Sequence, residues 1–146
     1  MAIRPVNDHV VEPFTGLIVR ASAGVLRVLG EGTQASGTQI SSPAFAVDVK
    51  NGCNGVEAML LLVAAMLAFP ATARQRLAGL ALGMAAIQIA NLIRVVSLFW
   101  LGVHHRSVFE LFHAAIWQTA LILLSVVFFI LWSRRVGPAI DAPDAA

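Results

Sequence analysis

The stretch L-A-G-L-A-L-G-M-A-A-I-Q-I-A-N-L-I-R-V-V-S-L-F-W-L, residues 77–101, decides the fold of this chain. A helix needs about 20 predominantly apolar residues to cross the hydrocarbon core of a bilayer. This stretch is long enough and holds a single charged residue, Arg94. We therefore expect a transmembrane helix here.

The composition of the whole chain also indicates a membrane protein. The 146 residues are 58% hydrophobic and only 12% charged, whereas soluble domains carry about 25% charged residues. The formal net charge is +2 and the basic residues are scattered along the chain, which argues against nucleic-acid binding. A chain of this length forms one domain, so residues 1–146 are treated as a single membrane domain.

Two more apolar segments, residues 55–69 and 114–132, are predicted to cross the membrane. The first is short and stops at Pro70. Four arginines flank the predicted spans on the same side: Arg74, Arg76, Arg134 and Arg135. Because basic residues near transmembrane segments collect in the cytoplasm, we assign that side to the cytoplasm. Residues 133–146 are then predicted to form a disordered cytoplasmic tail.

The N-terminal third follows another pattern. Residues 10–30 are apolar but are interrupted by Arg20 and Arg27, which lie seven positions apart and share one helical face. This pattern predicts an amphipathic helix in the membrane interface. Within residues 33–50, the alternation in A-F-A-V-D-V-K predicts a small extracytoplasmic β-hairpin.

Together these segments predict an all-α integral membrane protein with three transmembrane helices, an interfacial helix and a small β-hairpin. Translocating Arg20 and Arg27 without a preceding apolar helix is unfavourable. We therefore expect a further span upstream of Met1. The alternative is that Met1 starts the protein and the N-terminal region inserts with help.

The only cysteine, Cys53, lies in N-G-C-N-G-V-E at the outer mouth of the first predicted span. Asn54 as N-cap and Glu57 three residues later resemble a capping box, which would place the thiol just before a helix N-terminus. The positive end of a helix dipole lowers the pKa of a thiol, and Gly52 and Gly55 let backbone N–H groups approach a ligand closely. Taken alone, Cys53 is either a reactive thiol or a small buried apolar residue.

Arg94 is expected about 10 Å below the outer end of its helix, where an arginine is costly unless it is paired or faces water. Gln88, Asn91 and Arg94 recur every third residue and form a polar stripe. Such a stripe usually faces the interior of a helix bundle, and Glu57 is the candidate partner of Arg94. The alternative is that Arg94 snorkels outward to the interface.

His113 begins the third predicted span at its outer end. It shares a helical face with Trp117 and Gln118. Glu110, one turn earlier, could hold the imidazole in one tautomer. Judged alone, His113 is equally well explained as an interfacial histidine bonded to water.

Two more histidines, His104 and His105, lie in the outer loop beside Arg106. Together with Cys53 and His113 they could in principle hold a metal ion. No H-x-x-x-H or C-x-x-C spacing supports such a site, so we predict neither a metal nor a cofactor.

Three predicted spans thus contribute one reactive group each at a similar depth. A cysteine thiolate needs a nearby acid or base, which His113 could supply. A tetrahedral intermediate needs a positive donor for its oxyanion, which Arg94 could supply. The set predicts acyl transfer through a thioester of Cys53 at the outer rim of the membrane. The residues expected to support this site are Asn54, Glu57, Asn91 and Glu110.

The motifs N-G-C-N-G-V-E, N-L-I-R-V and L-F-H, in this order within residues 45–132, resemble those of the exosortase/archaeosortase family. The sequence around the cysteine is most similar to that of the exosortase H branch. Members are polytopic membrane proteins whose Cys, Arg and His set resembles that of cysteine transpeptidases. The resemblance implies that Cys53 is the nucleophile, that Arg94 and His113 complete the site, and that a further span precedes the amphipathic helix.

The resemblance also implies substrates and a location. The enzyme would cleave C-terminal sorting signals of exported proteins, each made of a short motif (I-P-T-L-type for the H branch), a transmembrane helix and a basic cluster. It would transfer the new carboxyl end to an acceptor, whose identity stays open, as does simple hydrolysis. The implied location is the inner membrane of a Gram-negative bacterium, with the active site on the extracytoplasmic face and the C-terminus in the cytoplasm.

Two other classes of protein are compatible with the residues. A non-catalytic membrane subunit would bind a partner helix through the polar stripe and through a G-x-x-x-G face formed by Gly79 and Gly83. A small transporter would use Arg94 and Glu57 to line its path. A reactive Cys53 favours the enzyme, whereas an inert, buried sulfur favours the other two.

Overall fold

The computed structural model describes residues 11–49 and 54–136. Helix α1 (Glu12–Val28) is followed by three short strands, β1 (Gln34–Ser36), β2 (Gln39–Ser41) and β3 (Ala46–Asp48). Two helices come next, α2 (Val56–Ala68) and α3 (Ala73–His104). The last helical stretch consists of α4 (Arg106–Leu111), a π-helical turn (Phe112–Ile116) and α5 (Trp117–Val136).

Within the described residues, two helical stretches are long and apolar enough to cross a membrane, α3 and Arg106–Val136. α3 has 32 residues and is therefore about 48 Å long, so it extends beyond the predicted 77–101 at both ends. The predicted span 55–69 is the shorter helix α2. Its 13 residues cover about 20 Å, less than the ~30 Å of a hydrocarbon core.

The C-terminal helical stretch is longer than predicted in both directions. The span expected over 114–132 is continuous with α4 and begins at Arg106. At the other end, α5 continues to Val136, so the prediction of disorder from residue 133 is wrong for residues 133–136. The remainder of the predicted tail, residues 137–146, lies outside the described residues.

Helix α1 corresponds to the helix predicted over residues 10–30, of which residue 10 lies outside the described part. Arg20 and Arg27 are both exposed, as expected for residues on one solvent-facing side. The opposite side buries Val19, Ala23 and Leu26. α1 contacts α3, β1 and β2, so this helix is an integral part of the fold.

The predicted hairpin is a three-stranded antiparallel sheet with the strand order β1-β2-β3. Ile40 in the central strand lies opposite Ala35 of β1 and Val47 of β3. A two-residue turn joins β1 to β2, and its Gly37 has a φ of 57°, a conformation that hairpin turns of this kind require. Val47 and Val49 pack against the core while Asp48 is exposed, which confirms the predicted alternation.

The capping box predicted for the start of α2 is wrong. The helix begins at Val56, and its N-cap is Gly55 in the left-handed conformation, with a φ of 74°. Asn54 lies one residue further out and accepts a hydrogen bond from the Val56 N–H at 3.2 Å. Glycine adopts a positive φ without the strain that a Cβ imposes, so Gly55 decides where the helix starts. A capping box does occur at the start of α3, between Thr72 and Gln75.

Two hydrophobic clusters hold these elements together, and α3 belongs to both. The first joins α1, the sheet and the C-terminal part of α3 through the buried residues Val19, Ala23, Leu26, Ile40, Val49, Val95 and Phe99. The second joins α2, α3 and α5 through Ala58, Leu62, Met66, Ile87 and Leu121. The part of α3 between Ile87 and Val95 therefore lies at the junction of the two clusters.

Gly79 and Gly83, the predicted partner-binding face, lie inside the bundle formed by the chain itself. A Cβ atom at Gly79 would collide with the Trp132 ring, and one at Gly83 would collide with Leu62 and Phe128. The face is occupied by α5 and α2. The interpretation of this motif as a dimer face is therefore wrong.

Gly79→Ala is expected to lower the free energy of unfolding by about 1–3 kcal/mol, because the added methyl group overpacks the contact with Trp132. Gly24→Ala is the matched control, since a Cβ at this position of α1 meets nothing within 4 Å. The control should be neutral or slightly stabilising because alanine is the better helix former. Thermal unfolding in detergent micelles, followed by circular dichroism, measures both. A Gly79→Ala protein as stable as the Gly24→Ala protein contradicts this packing.

Candidate functional site

The polar stripe of α3 lies at the junction of the two hydrophobic clusters and faces the interior. Asn91 is 0% exposed and Arg94 is 2% exposed, and Gln88 is half-buried. The predicted inward orientation of the stripe is thus confirmed, and the alternative in which Arg94 snorkels outward is wrong. A buried guanidinium in this setting requires polar partners.

A partner of Arg94 is Gln118 on α5. Arg94 Nη1 donates a hydrogen bond to Gln118 Oε1 at 3.3 Å. Gln118 Nε2 in turn donates to Glu57 Oε2 at 3.0 Å. Glu57, the partner predicted for Arg94, is therefore connected to it through a carboxamide. This chain of hydrogen bonds ties α2, α3 and α5 together at one depth.

Arg94 and His113 line the same small cavity, whose volume is about 20 Å³. The other residues around it are Val47, Asp48, Val49, Val95 and Leu98. The cavity thus lies where the sheet meets α3 and the π-helical turn. Two of the three predicted catalytic residues, which are 19 positions apart in the sequence, come together here.

His113 lies in the π-helical turn and is half-buried. Its ring stacks on Phe109, with 5.5 Å between the ring centroids and 13° between the planes. Such turns are frequent at functional sites because the extra residue changes the direction of a side chain. Glu110, predicted to support His113, is exposed on α4, and its role stays a prediction.

Cys53 lies outside the described residues, as do Lys50 and Gly52, so the predicted nucleophile stays a prediction. The residues on either side of this segment are described. Val49, the last residue before it, is buried and lines the cavity of Arg94 and His113. Asn54, the first residue after it, is 1% exposed.

Asn54 is fixed by its side chain and its backbone. Its Nδ2 donates to Thr15 Oγ1 at 3.2 Å, which ties it to α1. Its Oδ1 accepts from the Val56 N–H, and its carbonyl accepts from Gln88 Nε2 at 3.5 Å. Asn54 was predicted as a supporting residue, and it anchors the chain directly after Cys53. Thr15 was not found from the sequence, because a threonine inside an apolar helix gives no signal of such a long-range bond.

Asn91 has a different environment from Asn54, although both are buried. Neither its Oδ1 nor its Nδ2 has a hydrogen-bond partner among the described residues. Its side chain packs against Gly55, where a Cβ atom would lie 3.2 Å from Asn91 Cγ. A buried amide without a partner is costly, so Asn91 calls for an explanation beyond packing.

The other two histidines of the described part, His104 and His105, pack against Trp100 and do not join this site. His104 stacks on Trp100 with 4.7 Å between the ring centroids, and its Nδ1 lies 3.1 Å from the Trp100 carbonyl oxygen. Across residues 11–49 and 54–136, no three His, Cys, Asp or Glu side chains form a group that could hold a metal ion.

The described residues thus define a helical protein with two helical stretches able to cross a membrane and a buried polar site at the junction of its two clusters. Residues 2–133 match the family described as Transmembrane exosortase (Exosortase_EpsH), and the chain belongs to this family. No curated protein and no solved structure matches the chain significantly. The family predicted from the cysteine, arginine and histidine motifs is confirmed, while the exosortase H branch stays a prediction.

Proposed function

We propose that this chain is a cysteine protease or transpeptidase that cleaves C-terminal sorting signals of exported proteins. The observation that carries the proposal is the cavity shared by Arg94 and His113, two residues from different helices. Val49, which lines the same cavity, leads directly into the segment that contains Cys53. A nucleophile, a positive donor and an acid–base group are the three parts that thioester chemistry needs.

The reaction proceeds in two steps. The Cys53 thiolate attacks the carbonyl carbon of the scissile peptide bond, and Arg94 stabilises the negative charge that develops on the carbonyl oxygen. The C–N bond breaks, His113 gives a proton to the departing amine, and a thioester remains on Cys53. An amine acceptor or water then attacks the thioester carbonyl and gives its proton to His113. The C–S bond breaks, which releases the Cys53 thiolate and the processed product.

The distribution of charge supports an extracytoplasmic site. Arg74 and Arg76 lie at the start of α3, and Arg134 and Arg135 lie at the end of α5. These two ends are adjacent, because Trp132 packs over Gly79, and the site lies toward the opposite end of both helices. Under the positive-inside rule the arginine-rich end is cytoplasmic. We therefore propose that the site faces outward, in a multi-pass protein of the bacterial inner membrane.

The proposed substrates carry a short motif of the I-P-T-L type, an apolar helix and a basic cluster at their C-terminus. A basic cluster would remain at the arginine-rich cytoplasmic side, and the apolar helix would cross beside the enzyme. The motif would then lie at the outer membrane surface, at the level proposed for Cys53. A non-catalytic subunit that binds a partner through a G-x-x-x-G face is not supported, since Gly79 and Gly83 are covered by the chain's own helices.

The experiment is to trap the thioester. The purified protein in proteoliposomes is mixed with a reporter that ends in such a signal, quenched in acid, and digested for mass spectrometry. We expect an adduct on the peptide that contains Cys53, and we expect hydroxylamine to remove it. A reporter that is shortened while no adduct ever forms on Cys53, or that stays intact under all conditions, contradicts the proposal.

A further inference from the structure

Gln118 lies between the buried cation of Arg94 and the carboxylate of Glu57. Its Oε1 accepts from Arg94 Nη1 at 3.3 Å, and its Nε2 donates to Glu57 Oε2 at 3.0 Å. The direction of the carboxamide is fixed by its neighbours. A guanidinium can only donate and an ionised carboxylate can only accept, so the amide oxygen must face Arg94.

A carboxamide at this position differs from a carboxylate in one respect that matters for chemistry. It offers an oxygen to the guanidinium without bringing a negative charge into contact with it. The carboxylate of Glu57 lies one amide further away, and the interaction between two charges weakens with distance. By accepting from Nε2, Glu57 also polarises the amide and strengthens Oε1 as an acceptor.

We propose that Gln118 is a positioning residue for the reaction. Its neutral oxygen holds the guanidinium of Arg94 at the cavity lined by His113, and its neutrality adds no negative charge that would weaken the attraction of this cation for an anion in that cavity. The inference rests on the proposed function, in which this anion is first the Cys53 thiolate and then the oxyanion of the intermediate. A carboxylate in the same place would satisfy Arg94 as a hydrogen-bond donor but would weaken its effect on that anion.

Gln118→Glu therefore distinguishes two roles of Gln118: positioning Arg94 for the reaction, or only holding the helices together. If Gln118 only holds α3 and α5 together, glutamate keeps or strengthens the bond to Arg94, although it loses the N–H that Gln118 donates to Glu57, and the site should behave as in the wild type. If the neutral amide is needed, glutamate impairs the site although α3 and α5 remain tied. Gln34→Glu is the control, since it adds the same charge at an exposed position of β1.

The readout is the pH dependence of Cys53 alkylation by iodoacetamide in proteoliposomes, which reports the pKa of the only thiol in the chain. We expect Arg94→Ala and Gln118→Glu each to move the midpoint upward by about one unit, as loss of a nearby positive charge does. Gln34→Glu should leave the midpoint in place. If Arg94→Ala leaves it in place, the proposed function is contradicted. If Arg94→Ala moves it and Gln118→Glu does not, only the role of Gln118 is contradicted.

Gln118→Met provides a second test should glutamate prevent folding, because methionine has a similar volume and no strong acceptor. Processing of the reporter should show kcat reduced by roughly tenfold, in line with a misplaced catalytic group, and KM nearly unchanged. A kcat equal to that of the wild type in this variant overturns the inference.

Discussion

Cys53→Ala is expected to abolish processing of a reporter that carries the C-terminal signal. Removing the nucleophile of a cooperating catalytic set costs a factor of about 10⁴ to 10⁶ in kcat, so the shortened product should fall below detection. Cys53→Ser should lose almost as much, because a serine hydroxyl is hardly ionised at neutral pH and the proposed mechanism requires a thiolate. The shortened reporter is measured by gel shift, and its new C-terminus is identified by mass spectrometry.

The sequence provides an internal control for this experiment. Cys53 is the only cysteine, so no other thiol can take over in the variant. N-Ethylmaleimide should inhibit the wild-type protein and should not change the residual signal of the alanine variant. Thermal unfolding of both variants must remain close to that of the wild type, so that lost activity is not lost folding. Processing by Cys53→Ala at the wild-type rate would refute a cysteine mechanism.

The inward orientation of Arg94 could be predicted from the sequence, because a stripe of three polar residues on an apolar helix usually faces the interior of a bundle, where polar groups find partners. Its connection to Glu57 through Gln118 could not be predicted. That contact depends on how α5 is rotated against α2 and α3, and the apolar pattern of α5 permits several rotations. The π-helical turn before α5 changes this rotation further, and nothing in the sequence F-H-A-A-I marks it.

The start of α2 shows a similar limit. Asn54 is a good N-cap by residue type, and the sequence N-G-V-E fits a capping box. The structure instead uses Gly55 as N-cap in the left-handed conformation and bonds the Asn54 side chain to Thr15. The observed arrangement depends on the hydrogen bond to Thr15 of α1, which lies 39 positions earlier in the sequence. A local pattern cannot contain that information.

The pair Gly79 and Gly83 illustrates a different ambiguity. Small residues four positions apart allow another helix to approach closely, and the motif predicted such an approach correctly. It does not tell whether the approaching helix belongs to a partner or to the same chain. Here Trp132 and Phe128 of α5 supply the contact, and only the three-dimensional arrangement reveals this.

Asn54→Ala is expected to destabilise the protein and Asn91→Ala is not, although both side chains are buried. Asn54 makes hydrogen bonds with both ends of its amide, and its loss should lower the free energy of unfolding by about 1–3 kcal/mol. Both polar atoms of Asn91 lack a partner among the described residues. Alanine removes that cost and is a better helix former, so Asn91→Ala should be as stable as the wild type or more stable.

The same Asn91→Ala protein is nevertheless expected to process the reporter about 10² times more slowly, the usual loss when a hydrogen-bond donor of the reaction is removed. A buried amide kept without a partner at rest is explained if it gains one during the reaction, and Asn91 lies one helical turn from Arg94 on the same face of α3. Melting temperature and kcat, measured on one preparation, decide the matter. An Asn91→Ala protein that is less stable than the wild type and equally active would make Asn91 a packing residue and would remove it from the site.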